Sequence, residues 1–167
     1  MKRITIINGP NLNLLGKREV SVYGNESFED FFENLKKLYP EVELKYLQSN
    51  VEGTIIDFLQ QENGKDGIVL NAAGYTHTSV SIADAVRAID SPVVEVHISN
   101  IFAREEFRHT SLIGATCIGT IAGFIAGAIF KKHNYIRNYK ACRRGAIAGL
   151  VTFGAIIGLF GLALLSA

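Results

Sequence analysis

GIVLNAAGYTHTSVSIADAVRAIDSPVVEVHIS, residues 67–99, holds two apolar runs of strand length on either side of one amphipathic segment. GIVLNAA (67–73) is short and rich in aliphatic side chains without alternation, which is the pattern of a strand buried on both faces. SVSIADAVRAI (79–89) has apolar residues at helical spacing, and PVVEVHIS (92–99) returns to strand character. A strand, a helix and a second strand within about 30 residues form a crossover unit, which joins two parallel neighbours.

The same alternation extends toward the N-terminus. RITIIN (3–8) reads as a buried strand, and ESFEDFFENLKKLY (26–39) as a helix with Phe28, Phe31, Phe32 and Leu35 on one face. Ser27 is its expected N-cap and Pro40 its stop. VELKYLQ (42–48) alternates as a strand, and TIIDFLQQE (54–62) is a short helix closed by Asn63 and Gly64. Helices between strands imply an α/β fold, a doubly wound parallel sheet with right-handed crossovers. The flavodoxin-like order 2-1-3-4-5 is expected for its five strands. In that order ligands sit beyond the carboxyl ends of the strands, where the chain switches direction between strands 1 and 3. The chemistry is therefore expected in GPNLNLLGKREVSVYG (9–24), NAAGYTHTS (71–79) and HISNIFAREEFR (97–108).

A chain of 167 residues suits one domain with an appendage. Cys117 and Cys142 form no C-x-x-C pair, so neither a disulfide framework nor a zinc site is indicated, and a reducing compartment is the simplest home. The net charge of +1 conceals an asymmetry. All sixteen acidic residues precede position 107 and, against the eleven Lys and Arg up to Arg108, leave residues 1–108 at −5; six Lys and Arg between Lys131 and Arg144 carry +6.

Three loops bring Asn11, Asn71, His77, His97, Ser99, Arg104 and Arg108 to one crevice, more donors than turn formation needs. Each residue alone has an ordinary structural explanation: Asn71 as a turn residue, His77 as a cap, Arg104 and Arg108 as ion-pair partners of Glu105 and Glu106. Glu95 and His97 are two apart on one strand, so they share a face, and the carboxylate can orient the imidazole or stabilise its protonated form. A satisfied buried ion pair is the alternative. No G-x-x-x-x-G-K-[ST] or G-x-G-x-x-G sequence follows strand 1, so nucleotide binding is unsupported, and the four histidines lack metal-ligand spacing. No cofactor, metal or nucleic-acid partner is expected.

The motifs INGPNLNLLGKRE with YG following, LNAAGYTHTSVSIADA and VEVHISNIFAREEFR closely resemble one family over about residues 2–124. It is type II 3-dehydroquinate dehydratase, the small dehydroquinase of the shikimate and quinate pathways. The resemblance implies that 3-dehydroquinate loses water by anti elimination without a Schiff base, metal or cofactor. By the same likeness Tyr23 is the base that forms an enolate, Arg18 activates it, His97 is the acid, and Asn11 helps stabilise the enolate. Asn71, His77, Ile98, Ser99 and Arg108 match substrate-binding positions, and Asp84 matches one that contributes across a subunit contact. Trimers packed into dodecamers are implied as well. Two departures stand out: Val20 where the family usually has proline, and Phe102 where many members carry histidine.

The tail departs further. Residues 145–167, GAIAGLVTFGAIIGLFGLALLSA, are uncharged and long enough to span a membrane. Residues 110–130 are uncharged too, but a two-helix hairpin would place the basic stretch outside a membrane whose inner side holds the body, against the positive-inside bias. LIGATCIGTIAGF (112–124) is therefore expected as a fifth, buried strand. The organisation anticipated is a catalytic domain over 1–130, a basic linker or helix over 131–144, and a C-terminal hydrophobic helix over 145–167, either spanning or packing. The active portion is expected in the cytoplasm, with the tail available to anchor it to the inner membrane. A membrane-tethered binding module that kept the crevice without catalysis is the rival reading.

Overall fold

A computed structural model describes residues 1–17 and 27–123. Five parallel strands, β1 (Lys2–Asn8), β2 (Val42–Gln48), β3 (Gly67–Asn71), β4 (Val93–His97) and β5 (Gly119–Ala122), form one sheet in the order β2-β1-β3-β4-β5. The helices are α1 (Phe28–Leu38), α2 (Glu52–Gln61) and α3 (Val80–Arg87), and each joins two successive strands. This is the flavodoxin-like order that the sequence pattern predicts. The C-terminal helix expected over 145–167 lies outside the described residues, as do Arg18 and Tyr23.

Strand alternation sorts the core into two layers. Ile4, Ile6, Val69, Val94 and Val96 pack on one face with Phe28, Phe32 and Leu35 of α1. Ile7, Ile68 and Leu70 face the other way, against Ile55 and Leu59 of α2 and Ile82 and Val86 of α3. Burying each such side chain contributes about 1.5–3 kcal/mol relative to exposure. Ser27 Oγ accepts from Asp30 N at 3.1 Å, as the sequence reading expects, and Ser79, read there as the first helical residue, is instead the N-cap of α3, its Oγ accepting from Ile82 N at 2.8 Å. Glu29 and Asp30 at the start of α1, and Lys36 and Lys37 at its end, complement the helix dipole.

The expected fifth strand needs correction. Only Gly119–Ala122 pairs with β4, and its positions alternate between half-buried and exposed, so it is a short edge and not a buried strand. The preceding residues are used to close over Glu95. Leu112 N donates to Thr76 O at 2.9 Å, Ile113 enters the core, and Gly114–Thr116 forms a 3-10 turn beside the carboxylate. An apolar run cannot reveal such a turn, because its packing partner lies 19 residues earlier in the chain. Elsewhere the differences are small: α2 begins two residues before the predicted start, and β3 stops at Asn71, beyond which Ala73 takes a positive φ of 52°.

The ends of β1 and β3 approach closely at the switch point. Gly9 N donates to Asn71 O at 2.7 Å, and a Cβ on Gly9 would stand 2.8 Å from the carbonyl carbon and oxygen of Ala72. Backbone cannot rotate out of the way as a side chain can. Gly9→Ala is expected to cost about 1–3 kcal/mol through overpacking, measured as a lower midpoint in chemical denaturation. An unchanged midpoint would mean that the two strand ends can separate freely.

Candidate active site

A cleft of about 810 Å³ opens beyond the carboxyl ends of β1, β3 and β4, the place the topology reserves for a ligand. Asn11, Asn71, His77, His97, Ile98, Ser99 and Arg108 all line it, together with Arg104. Three separate loops thus converge as the sequence pattern requires. Asp84 does not reach this cleft. It lies exposed on α3 and pairs with Arg87 one turn on, so within a single chain it belongs to a different surface.

Asn11 holds a left-handed backbone conformation, φ 66° and ψ 0°, which asparagine tolerates better than most residues. Its N–H donates to Asn50 Oδ1 at 2.9 Å, and Asn50 is held in turn by Gln48 Nε2 at 3.1 Å. Tyr75 Oη donates to the Asn50 carbonyl at 3.1 Å, tying the loop after β3 to the one after β2. Asn50 and Gln48 therefore set the position of Asn11, a role that no sequence signal marked. Asn71 ends β3 and its Oδ1 accepts from Ala73 N at 3.2 Å. That leaves the amide NH2 as the group it can offer a ligand.

His77 Nδ1 is 2.8 Å from the Thr110 carbonyl oxygen. A carbonyl only accepts, so Nδ1 carries the proton, and in the neutral ring Nε2 is an acceptor suited to a hydroxyl group. The ring stacks on His97, with centroids 6.3 Å apart and planes 18° from parallel.

Glu95 and His97 form the floor of the cleft. Glu95 is wholly buried and His97 is 5% exposed, and their Oε1 and Nε2 atoms lie 3.2 Å apart. The contact is off the line of a good hydrogen bond, and among the described residues Nε2 has no other partner. We read it as an electrostatic contact that a small ring rotation converts into a hydrogen bond. Burial pushes the Glu95 carboxyl up, but His97, Ser111 and Thr120 outweigh burial and hold it below the usual carboxylate range. A buried anion without a lysine or arginine partner is costly, and the hydroxyls around it offset that cost. Thr76 Oγ1 donates to Oε1 at 3.1 Å, Ser111 Oγ reaches Oε1 at 2.8 Å and Oε2 at 3.0 Å, and Thr120 Oγ1 donates to Oε2 at 2.9 Å.

On the rim, Glu105 takes both arginines: Arg108 Nε at 2.9 Å and Arg104 Nε at 3.5 Å. The ion-pair explanation for these residues is thus realised through Glu105, yet Arg108 remains on the cleft wall. A negatively charged or hydroxylated ligand would compete with Glu105 for its guanidinium. No group of His, Cys, Asp and Glu among the described residues is arranged to hold a metal ion.

Fold and site together define a small-molecule site at the switch point of a flavodoxin-like sheet, with a buried carboxylate–imidazole pair as its reactive floor. The profile of the family described as class II dehydroquinase matches residues 2–135. The 3-dehydroquinate dehydratase of Fusobacterium nucleatum subsp. nucleatum is 53% identical over 128 residues, covering 72% of this chain and 86% of that protein. The 3-dehydroquinate dehydratase of an Exiguobacterium species is 55% identical over 123 residues, covering 73% and 85%. The crystal structure of type II dehydroquinase from Butyrivibrio crossotus DSM 2876 superposes with a TM-score of 0.70 at 41% identity, covering 82% of this chain and 98% of that one. The chain belongs to the class II dehydroquinase family.

Proposed function

We propose that this crevice converts 3-dehydroquinate to 3-dehydroshikimate by anti elimination of water through an enolate. Membership of the family supplies the hydro-lyase activity and the substrate. The single observation that carries the chemistry is the pair at the cleft floor, an imidazole set against a fully buried carboxylate. Such a carboxylate holds the imidazole in place over the cleft floor, and a positioned proton donor is what a departing hydroxyl needs.

In the sequence of events, Tyr23 removes a proton from the carbon beside the ketone, and the electron pair moves into the enolate. Arg18 favours the phenolate form of Tyr23, and Asn11 helps to hold the enolate. As the enolate collapses, the carbon–oxygen bond to the hydroxyl breaks, and His97 hands that oxygen a proton so that water leaves. With Nε2 turned to Glu95, Nδ1 is the nitrogen available for the transfer. The Asn71 amide, His77 Nε2, Arg108, and Ile98 and Ser99 beyond β4 orient the substrate, and Asp84 acts from a neighbouring subunit of a trimer or dodecamer. No metal or cofactor enters the scheme.

Substrate deuterated at one of the two hydrogens beside the ketone tests this course. Loss of the hydrogen opposite the departing hydroxyl, read by NMR of the product, is expected; loss of the hydrogen on the same face would contradict it. Binding of the substrate without any product would instead favour the silent module.

The catalytic unit in this reading spans 1–130, the basic residues of 131–144 form a linker on the cytoplasmic side, and 145–167 anchors the enzyme to the inner membrane. What supports the anchor is the length, apolarity and glycine content of the segment behind Arg143 and Arg144. Among the described residues no helix is long and apolar enough to cross a membrane. Fractionation of cells expressing the full chain should place it with membranes, and removal of 145–167 should release it. A full-length protein found wholly in the soluble fraction would contradict the anchor.

A further inference from the structure

We propose that Thr76, Ser111 and Thr120 are positioning residues for the acid step: their hydroxyls hold the Glu95 carboxylate fixed and charged beneath His97. The inference rests on the dehydratase reading, and extends it to three residues that touch no part of the cleft where substrate would lie. Among the described cleft-lining side chains only His97 pairs with the carboxylate.

The three hydroxyls come from three parts of the chain. Thr76 lies in the 3-10 turn after β3, Ser111 in the segment that closes over the sheet end, and Thr120 on β5, where it is the direct register partner of Glu95. Each has one proton to give. A carboxylate has about four lone-pair sites; three hydroxyl protons occupy three of them, and the His97 ring nitrogen stands 3.2 Å from Oε1 as an electrostatic contact. Gly114 N donates to Ser111 Oγ at 2.7 Å, which occupies a lone pair of that hydroxyl and directs its proton to Glu95. A protonated Glu95 would bring a further proton into a shell already made of donors, so the surroundings select the charged form.

Gly114 shows how closely the shell is drawn. A Cβ there would stand 2.5 Å from Glu95 Oε2, 2.7 Å from Thr120 Oγ1 and 2.9 Å from Ser111 Oγ. The space for a methyl group has been given to the carboxylate and its donors.

The other ionisable groups near Glu95 leave this assignment intact. His97 faces it from β4 itself, with the His77 ring stacked behind. Cys117 approaches from the segment before β5, but its thiol is pushed up to about 12 by burial and by Glu95, so it stays neutral. No lysine or arginine among the described residues comes within ion-pair distance of Glu95. Ionisation of the carboxylate therefore depends on the hydroxyls and the imidazole.

Removing one hydroxyl should raise the titration midpoint of Glu95 and move the acid limb of the kcat profile to higher pH by about one unit, the value of one hydrogen bond to a charged group. Thr120→Val keeps the shape and removes the donor; Thr120→Ser restores it. Two readouts on the full-length protein separate the possibilities. The kcat profile should shift for Thr120→Val with KM little changed, and return for Thr120→Ser. Carboxyl-labelled glutamate NMR, assigned with Glu95→Gln, should show the Glu95 midpoint rising by the same amount in the valine variant. A folded Thr120→Val protein with both the limb and the midpoint unmoved overturns the proposal, as does a shift that serine fails to reverse. Were the wild-type chain to lack dehydratase turnover, the functional reading would fail on its own, and the NMR midpoint would still decide the role of the hydroxyls.

Discussion

His97→Ala is expected to lower kcat by 10²–10⁴-fold, roughly the contribution of a positioned general acid, with a far smaller change in KM. The reason lies in the electrostatics of the cleft floor. Hydroxide is a poor leaving group from a carbon skeleton, and the enolate expels it slowly unless a proton arrives as the bond breaks. Among the described residues the imidazole is the only ionisable side chain that both lines the cleft and pairs with the buried carboxylate. Removing it also leaves Glu95 buried with hydroxyl donors alone, so the variant should lose a little stability while remaining folded. Steady-state kinetics beside a thermal melt separate the two effects. A folded His97→Ala protein turning over at near-normal rate would remove the acid from the scheme.

Tyr23→Phe should be as damaging for the opposite half of the reaction. Free tyrosine has a pKa of about 10, so at neutral pH only on the order of one side chain in a thousand is a phenolate. A guanidinium nearby lowers that value by roughly 1–3 units and raises the reactive fraction at neutral pH by about 10- to 500-fold. Phenylalanine keeps the ring and removes the oxygen, so KM should hold while kcat falls by about 10²–10⁴-fold. Retention of activity would mean that another group takes the proton. Tyr23 follows Arg18 by five residues in the sequence between β1 and α1, a connection of the length that commonly serves function.

Much of the fold can be read from the sequence because its elements are locally encoded. The alternation in 42–48 predicts β2 to the residue, and Ser27 and Ser79 cap the helices whose starts they mark. The order of the strands follows from parallel crossovers and handedness, which need no side-chain detail. The site is legible for a related reason: in a doubly wound sheet the loops at the switch point are named by topology, and Asn11, Asn71, His77, His97 and Arg108 are polar residues in those loops.

What escapes the sequence is contact at a distance. Gly114 sits in a stretch whose composition reads as strand and Ser111 just before it, and only the folded chain brings them against Glu95. Thr120 is paired with Glu95 by the register of β5, and an apolar run of 13 residues leaves that register open. Asn50 looks like one more polar loop residue until Gln48 and Tyr75 are seen to fix it under Asn11. Asp84 illustrates the opposite case, a residue singled out by family likeness that sits away from the cleft of its own chain. A part in the reaction would require a second subunit.

The most direct test of the whole account is an assay of the purified full-length chain with 3-dehydroquinate, following the rise in ultraviolet absorbance of the conjugated enone. Catalytic turnover should appear without added metal, and it should be lost in His97→Ala and Tyr23→Phe proteins that remain folded. Wild-type protein that binds 3-dehydroquinate yet forms no enone would contradict the account at its centre.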